Sequence, residues 1–154
     1  MKIGLGADHR GVASIKQLSD KLRNEGHTVE IIGDVSGEPC DYPEPAFKVG
    51  NAVAQGKFDL GVLICGTGVG MCIAANKVRG VRAANVHDEI TAQLSRSHNN
   101  ANILCLSADL LGQRLIEKIV DTWIATPFSG GRHSRRIDKI QAIEQDKDPA
   151  SIRD

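Results

Sequence analysis

A cysteine followed by alternating glycines is the clearest chemical signal in this sequence. Cys65 ends an apolar run, and glycines stand at positions 66, 68 and 70, where a helix is predicted to begin. Glycine lets successive backbone N–H groups converge on one point, and the N-terminus of a helix adds partial positive charge. We therefore expect an anion to bind this loop and the same donors to favour the thiolate form of Cys65. Cys65 is a candidate nucleophile or proton-abstracting base.

The loop does not match the common nucleotide-binding motifs. No lysine follows at the offset that a G-x-x-x-x-G-K-[ST] loop requires, and Met71 stands where a G-x-G-x-x-G motif has its third glycine. NAD and ATP are therefore not expected. The alternative interpretation is structural, because strand-to-helix turns need glycine and buried cysteine packs as a small apolar side chain. We prefer the functional role for Cys65 and the structural role for Cys40, Cys72 and Cys105.

Acidic, basic and amide side chains lie at other predicted turns. Asp8 and His9 follow the first predicted strand. His98 and Asn99 close the fourth predicted helix, just before the fifth strand. We expect both pairs near the same rim of a sheet as Cys65, where they would supply an acid, a base and an electrophilic pocket. Each pair also has a structural interpretation, as a turn cap or as a favourable contact with a helix dipole.

A basic turn near the end of the chain suits a phosphate group. Residues 130–136 contain three arginines and His133, and Arg132 and Arg136 share a helix face at i, i+4 spacing. A solvated basic turn and an RNA-binding patch are the alternatives, but zero net charge and the absence of neighbouring aromatic residues disfavour RNA. Tyr42 either reaches a ligand from its loop or covers the sheet edge.

Composition limits the class of protein. The chain has 154 residues, with 19 basic and 19 acidic side chains and only 3% aromatic residues. This is typical of one soluble domain, and it disfavours binders of nucleic acid or membrane surfaces, which need a positive field. Four cysteines without a C-x-x-C pair, no secretion signal and no apolar run of about 20 residues predict a cytoplasmic protein. Residues 87–89 lack metal-ligand spacing, so we expect neither metal nor cofactor.

Periodicity predicts five strand and helix units that position these groups. Apolar runs predict strands at residues 2–6, 28–32, 60–65, 81–86 and 103–106, each followed by a helical pattern. Such alternation implies a three-layer α/β/α domain with a five-stranded parallel sheet, which binds ligands at the carboxyl ends of its strands. We expect Asp109 to cap the fifth helix, whose inner side is formed by Leu111, Leu115, Ile119 and Trp123.

A sixth helix is predicted from Ile137, Ile140 and Ile143, before a polar tail over residues 146–154. Five units already enclose the sheet, so the domain leaves this helix little surface to cover. We infer that this C-terminal helix packs on a second copy of the chain and that residues 1–145 form a single domain.

Six ordered blocks of the sequence match one known family. The blocks are residues 6–9, 41–43, 64–70, 75–77, 95–99 and 130–133. Together they resemble the type B ribose-5-phosphate isomerases, whose wider group includes galactose-6-phosphate isomerase subunits and an allose-6-phosphate isomerase. The resemblance implies a Rossmann-like domain and a homodimer or homotetramer with active sites completed across the interface. It also implies metal-free aldose–ketose interconversion of a small phosphorylated sugar through a cis-enediolate.

The resemblance further implies a role for each matching residue. Cys65 would move the proton between C1 and C2, Thr67 would assist transfer between the oxygens, and His98 would open the furanose ring. The remaining residues would bind substrate: Gly66, Gly68, Val69 and Gly70 as an anion hole, Asp8, Tyr42 and Asn99 on sugar hydroxyls, and His9, Arg132 and Arg136 on the phosphate. The chemistry agrees, because an enediolate needs pre-aimed N–H donors and a cyclic sugar needs a separate acid or base.

Asp109 departs from the family pattern, because relatives commonly carry a basic residue there. An acid beside a phosphate would repel it. We therefore expect either that Arg114 or Arg135 compensates or that the substrate differs in length or charge. Two other hypotheses stay open. One is an isomerase of another sugar, such as a tetrose, allose or galactose type, and the other is a module that binds a sugar phosphate without chemistry.

Overall fold

The central strand is a continuous apolar run, and the sheet is built around it. The computed structural model describes residues 1–153. The strands are β1 Lys2–Ala7, β2 Thr28–Ile31, β3 Leu60–Cys65, β4 Ala83–Asn85 and β5 Ile103–Ser107. They form one parallel sheet in the order β2-β1-β3-β5-β4. β3 is buried along its whole length, as expected for a strand with helices on both faces.

Helices cover both faces of this sheet because their apolar residues recur at helical spacing. Within the described part of the chain they are α1 Val12–Asn24, α2 Pro43–Ala54, α3 Val69–Ala75, α4 Glu89–Ser97, α5 Gln113–Ala125 and α6 Arg132–Glu144, followed by a 3₁₀ turn at Pro149–Ser151. α1, α4 and α5 bury their apolar residues on one face, and α2 and α3 bury theirs on the other. The predicted three-layer α/β/α arrangement is confirmed.

The start of α5 differs from the prediction. Asp109 does not cap the helix, because Gly112 is the N-cap residue and Asp109 lies in the preceding loop, where Arg10 binds its carboxylate. The buried face of α5 consists of Ile116, Ile119, Val120 and Trp123, whereas Leu111 and Leu115 are only half-buried. The fully buried Trp123 donates its indole N–H to Ser95 Oγ at 3.1 Å, which ties α5 to α4.

α6 lies at the margin of the domain. Ile140 and Ile143 leave 44% and 59% of their surface exposed. The end of the helix is held by the Glu144 carboxylate, which accepts the Gly80 N–H at 2.7 Å. Packing of α6 on a second copy stays a prediction, as does the single domain over residues 1–145. Of the predicted tail over 146–154, Asp154 lies outside the described residues.

Membrane insertion by a helix has no candidate segment in residues 1–153. None of the helices there has both the length and the apolar character that crossing a bilayer requires.

Candidate active site

The carboxyl end of β3 places a thiol inside a turn of backbone amides. Cys65 is 3% exposed, and the Gly68 N–H donates a hydrogen bond to its Sγ at 3.1 Å. Gly68 is the N-cap residue of α3 and has a φ of 79°, a left-handed conformation that glycine adopts without steric cost. The thiol therefore lies beside the N-terminus of α3, with a backbone N–H directed at its sulfur.

The amides of the loop divide into two sets. Those of Thr67 and Gly70 donate to no acceptor among residues 1–153, so they remain available to an anion. The amide of Val69 donates to Thr67 Oγ1 at 3.3 Å, and the amide of Gly68 is directed to Cys65. Together with the Gly66 amide, which also donates to no acceptor among residues 1–153, the Thr67 and Gly70 amides are the donors that the loop offers to an anion.

Two neighbouring side chains lie very close to the glycines of the loop. A Cβ at Gly66 would lie 3.0 Å from Asp109 Oδ2, and a Cβ at Gly70 would lie 2.6 Å from the Tyr42 ring. Tyr42 therefore reaches the loop from the start of α2, and its contact with a ligand stays a prediction. The absence of side chains on the glycines is what allows these two groups to approach the backbone.

The turn after β1 brings Asp8 and His9 beside the loop, because β1 and β3 are neighbouring strands. Asp8 is 6% exposed, and its Oδ1 accepts the N–H groups of Arg10 and Gly11 at 2.9 and 3.3 Å. One carboxylate oxygen of Asp8 thus caps the turn. Nδ1 of His9 lies 3.3 Å from the Cys40 carbonyl oxygen, so it joins this turn to the loop that precedes α2.

An ion pair lies at the same edge of the sheet. Arg10 donates from Nε and Nη2 to Asp109 Oδ1, at 3.1 and 2.7 Å. The hydrogen bond and the negative charge of Asp109 raise the pKa of Arg10. The expectation named Arg114 or Arg135 as the compensating cation, but the structure pairs Asp109 with Arg10 instead. The sequence carries no local signal of this contact, because 99 positions separate the two residues.

A second group of predicted site residues lies at the opposite edge of the sheet. His98 and Asn99 follow α4, and a helix that follows a strand returns the chain to the amino edge of a parallel sheet. The Gly61 N–H, near the start of β3, donates to the Asn102 carbonyl at 2.9 Å. Cys65 stands four positions further along β3, which corresponds to about 13 Å. The expectation that His98 and Asn99 share the rim of Cys65 is wrong within one chain.

Arg132 and Arg136 accompany His98 at the amino edge. Both lie at the start of α6, as predicted. His133, between them, stacks its ring on that of His98, with centroids 4.2 Å apart and planes at 7°. The imidazole of His98 and the two arginines therefore belong to one end of the molecule, and the Cys65 thiol belongs to the other.

Two half-buried arginines hold the loop after α4, and neither was predicted from the sequence. Arg96 Nη1 donates to Asn100 Oδ1 at 3.1 Å, and its guanidinium lies 5.5 Å from the centre of the Trp123 ring. Arg82 Nε donates to the Asn100 carbonyl at 3.0 Å. Burial lowers the pKa of both arginines. Asn100 has a φ of 46°, a left-handed conformation in which asparagine is enriched, so the Asn-Asn pair was the available signal for a tight turn.

The other cysteines have structural surroundings. Cys105 is fully buried, and burial raises the pKa of its thiol. A hydrogen bond with Cys105 lowers the pKa of the half-buried Cys72 to about 7. The Cys72 Sγ lies 3.4 Å from the Ala83 carbonyl, at the start of β4. All four cysteines, including Cys40, are free thiols.

Residues 87–89 form a helix cap. Asp88 Oδ1 accepts the Thr91 N–H at 2.7 Å at the N-terminus of α4. Throughout residues 1–153, no group of three or more His, Cys, Asp and Glu side chains is arranged to hold a metal ion.

The α/β fold places a buried thiol and a glycine-rich turn at the carboxyl end of its central strand. A family model described as Ribose/Galactose Isomerase matches residues 3–140. The chain belongs to that family, and it is an aldose–ketose isomerase.

Relatives in this family are named for different sugars. The chain is 44% identical over 144 residues to ribose-5-phosphate isomerase B of Escherichia coli. This alignment covers 94% of this chain and 97% of the relative. It is 39% identical over 145 residues to a D-erythrulose-4-phosphate isomerase of Pectobacterium atrosepticum, covering 94% and 95%. The crystal structure of Mycoplasma genitalium ribose-5-phosphate isomerase B with bound ribulose-5-phosphate matches with a TM-score of 0.88 at 45% identity, covering 95% and 97%.

Proposed function

We propose that this isomerase interconverts ribose 5-phosphate and ribulose 5-phosphate through a cis-enediolate, with Cys65 as the base. The main support is the position of the Cys65 thiol in the glycine loop, beside the open amides of Thr67 and Gly70. The Escherichia coli relative and the Mycoplasma genitalium structure, both named for ribose 5-phosphate isomerase, support the choice of sugar. Release of ribulose 5-phosphate by the purified protein in excess chelator tests the proposal, and no turnover of ribose 5-phosphate would refute it.

The chemistry begins when the Cys65 thiolate removes the proton from C2 of the open-chain aldose. The electron pair of that bond forms the C1–C2 double bond, and negative charge develops on O1. The amides of Thr67 and Gly70 stabilise this charge without reorganising, because the loop already holds them in place. The Thr67 hydroxyl passes a proton between O2 and O1. The Cys65 thiol then returns its proton to C1, which completes the ketose.

Ring opening and substrate binding use residues that lie at both edges of the sheet. His98 acts as the acid and base that opens the furanose. Sugar hydroxyls and phosphate are bound by the remaining residues: Asp8, Tyr42 and Asn99 on the hydroxyls, and His9, Arg132 and Arg136 on the phosphate. Within one chain, about 13 Å or more of sheet separates Cys65 from His98. A complete site therefore requires a second copy, in a homodimer or homotetramer whose active sites are shared across the interface.

Complementation between two inactive variants tests the shared site. We expect Cys65→Ala and His98→Ala chains each to lose activity, because every site in either homodimer lacks one group. Refolding the two chains together forms heterodimers in which one of the two sites is intact. Random assortment then restores about a quarter of the wild-type sites. Turnover of ribose 5-phosphate measures the recovery, and a mixture no more active than the separately refolded variants would contradict the shared site.

A tetrose phosphate is the second candidate substrate, because one relative is named for a tetrulose phosphate. The Asp109 carboxylate neutralises Arg10 at this edge of the sheet, which leaves less positive charge for a phosphorylated sugar of any length. The D-erythrulose-4-phosphate isomerase of Pectobacterium atrosepticum supports this alternative. Comparison of kcat/KM for tetrose, pentose and hexose phosphates and for unphosphorylated ribose decides between the candidates.

The Asp109→Asn variant tests the effect of this carboxylate. We expect the KM for a phosphorylated sugar to fall about twofold to fivefold, with little change in kcat, because the substitution releases Arg10 at a partly exposed site. The effect should shrink as salt is added. Asp121→Asn is the control, because Asp121 pairs with Lys21 away from the loop. An unchanged KM at low ionic strength would show that Asp109 does not influence substrate charge.

A further inference from the structure

His133 has no assigned role in the proposed reaction, although it lies against the ring-opening residue. It stands in the first turn of α6, is 7% exposed, and stacks on His98. Its Nδ1 is buried and has no hydrogen-bond partner among residues 1–153. The contact with the neighbouring ring is therefore the most specific interaction that the His133 side chain makes.

The stack sets the plane of the His98 ring. The backbone N–H of His98 donates to the Leu94 carbonyl at 2.9 Å, which fixes its Cα at the end of α4. In the part of the chain that the structure describes, the ring nitrogens of His98 form no hydrogen bond. Both nitrogens are therefore free for a ligand, while His133 covers one face of the ring and restrains its rotation.

The surroundings of His133 favour its neutral form. The charged and titratable groups that face it are His98 from α4 and Arg132 and Arg136 from α6. Burial lowers the pKa of His133, and these three positive or titratable neighbours lower it further. A neutral imidazole stacks on His98 without the repulsion that two charged rings 4.2 Å apart would have.

The turn before α6 determines how the rings of His133 and His98 are placed relative to each other. The Ser129 N–H donates to the Ser97 carbonyl at 3.0 Å, which joins this turn to the last residue of α4. Gly130 and Gly131 have φ values of 61° and 57°, which let the chain turn sharply into α6. His133 follows within two residues, so the geometry of the turn determines where its ring meets α4.

We propose that His133 is a positioning residue that holds the His98 ring for opening of the furanose. It takes no part in proton transfer at C1 and C2. This inference rests on the proposed function, because it requires His98 to act on a cyclic aldose phosphate. Its consequence is that loss of the stack slows ring opening and leaves the chemistry at Cys65 unchanged.

Two assays on the same protein separate these steps. Conversion of ribose 5-phosphate starts from a furanose and needs ring opening. Deuterium exchange from solvent into C1 of ribulose 5-phosphate starts from an open chain, because the phosphate on O5 prevents closure of a furanose. We expect His133→Ala to lower kcat for conversion about 10- to 100-fold and to keep the exchange rate within about twofold of wild type. A change in KM from displaced arginines would affect both assays equally.

Matched variants distinguish positioning from stability. His133→Phe keeps a flat ring without a titratable nitrogen, and we expect its kcat for conversion to lie within about threefold of wild type. His133→Leu fills the space without a ring and should be as slow as His133→Ala, so the test does not depend on folding of the alanine variant. His27→Ala, between α1 and β2, is the control and should change neither rate.

Two results would overturn the positioning role. One is an equal loss in conversion and exchange for His133→Ala and His133→Leu, and the other is a His133→Phe variant as slow as they are. Unchanged conversion in all variants would overturn it as well. A wild-type protein that acted on neither ribose 5-phosphate nor ribulose 5-phosphate would instead refute the proposed function.

Discussion

Replacement of Cys65 by alanine is expected to lower kcat for isomerisation of ribose 5-phosphate about 10²- to 10⁴-fold, the range that a positioned base contributes. The substitution removes the thiol that accepts the Gly68 N–H but leaves the open amides of Thr67 and Gly70 in place. The variant should therefore still bind the sugar phosphate, so KM should change far less than kcat. Exchange of the substrate C2 proton with deuterated solvent should fall together with kcat.

Cys72→Ala is the matched control for this prediction. Cys72 lies on α3, directly after the same loop, and its pKa is lowered to about 7 by the hydrogen bond with Cys105. Alkylation alone therefore does not identify the base, because Cys72 is only half-buried. We expect Cys72→Ala to keep kcat within about threefold of wild type. Near wild-type turnover by Cys65→Ala, or the large loss in Cys72→Ala instead, would show that the base is wrongly assigned.

The strands could be predicted closely because a buried parallel strand is a short apolar run between turn residues. β3 forms over the predicted residues 60–65, β1, β2 and β5 start where predicted, and the remaining strand boundaries differ by one or two residues. β4 differs most, since the predicted strand over 81–86 forms only at Ala83–Asn85. It is an edge strand that pairs with β5 alone, so its ends lack a second partner.

The candidate site could be predicted only where its features are local. The glycine loop at Cys65 is a continuous motif. The contact of Arg10 with Asp109 joins two loops far apart in the sequence, and no residue pattern in the sequence indicates it. His98 was predicted at the wrong edge, although the predicted topology already implies the amino edge, because a crossover helix must end there. The stack of His133 on His98 depends on the turn over residues 129–131. Residue propensities indicate a turn there but do not specify the direction in which the chain leaves it.

Gly68→Ala is expected to lower kcat/KM about 10²- to 10³-fold, the cost of displacing a pre-aimed donor. Gly68 has a φ of 79°, and a Cβ there would lie 2.3 Å from Asn85 Oδ1 and 3.1 Å from the Leu106 carbonyl carbon. The loop must shift to relieve these contacts. That shift moves the Gly68 N–H away from Cys65 Sγ and disturbs the neighbouring open amides, so thiolate and enediolate both lose stabilisation.

Gly56→Ala separates the conformational cost of this substitution from its effect on the loop. Gly56 has a φ of 73°, and nothing lies within 4 Å of its Cβ position. Alanine there should lower the free energy of unfolding by about 1–2 kcal/mol, as any side chain in this conformation does, and leave kcat/KM unchanged. In the Gly68→Ala chain, the further change Asn85→Ala removes the side-chain contact but not the contact with the Leu106 backbone. Thermal unfolding should therefore show partial recovery of stability while turnover stays low, and full recovery of turnover would mean that the Asn85 side chain alone displaces the loop.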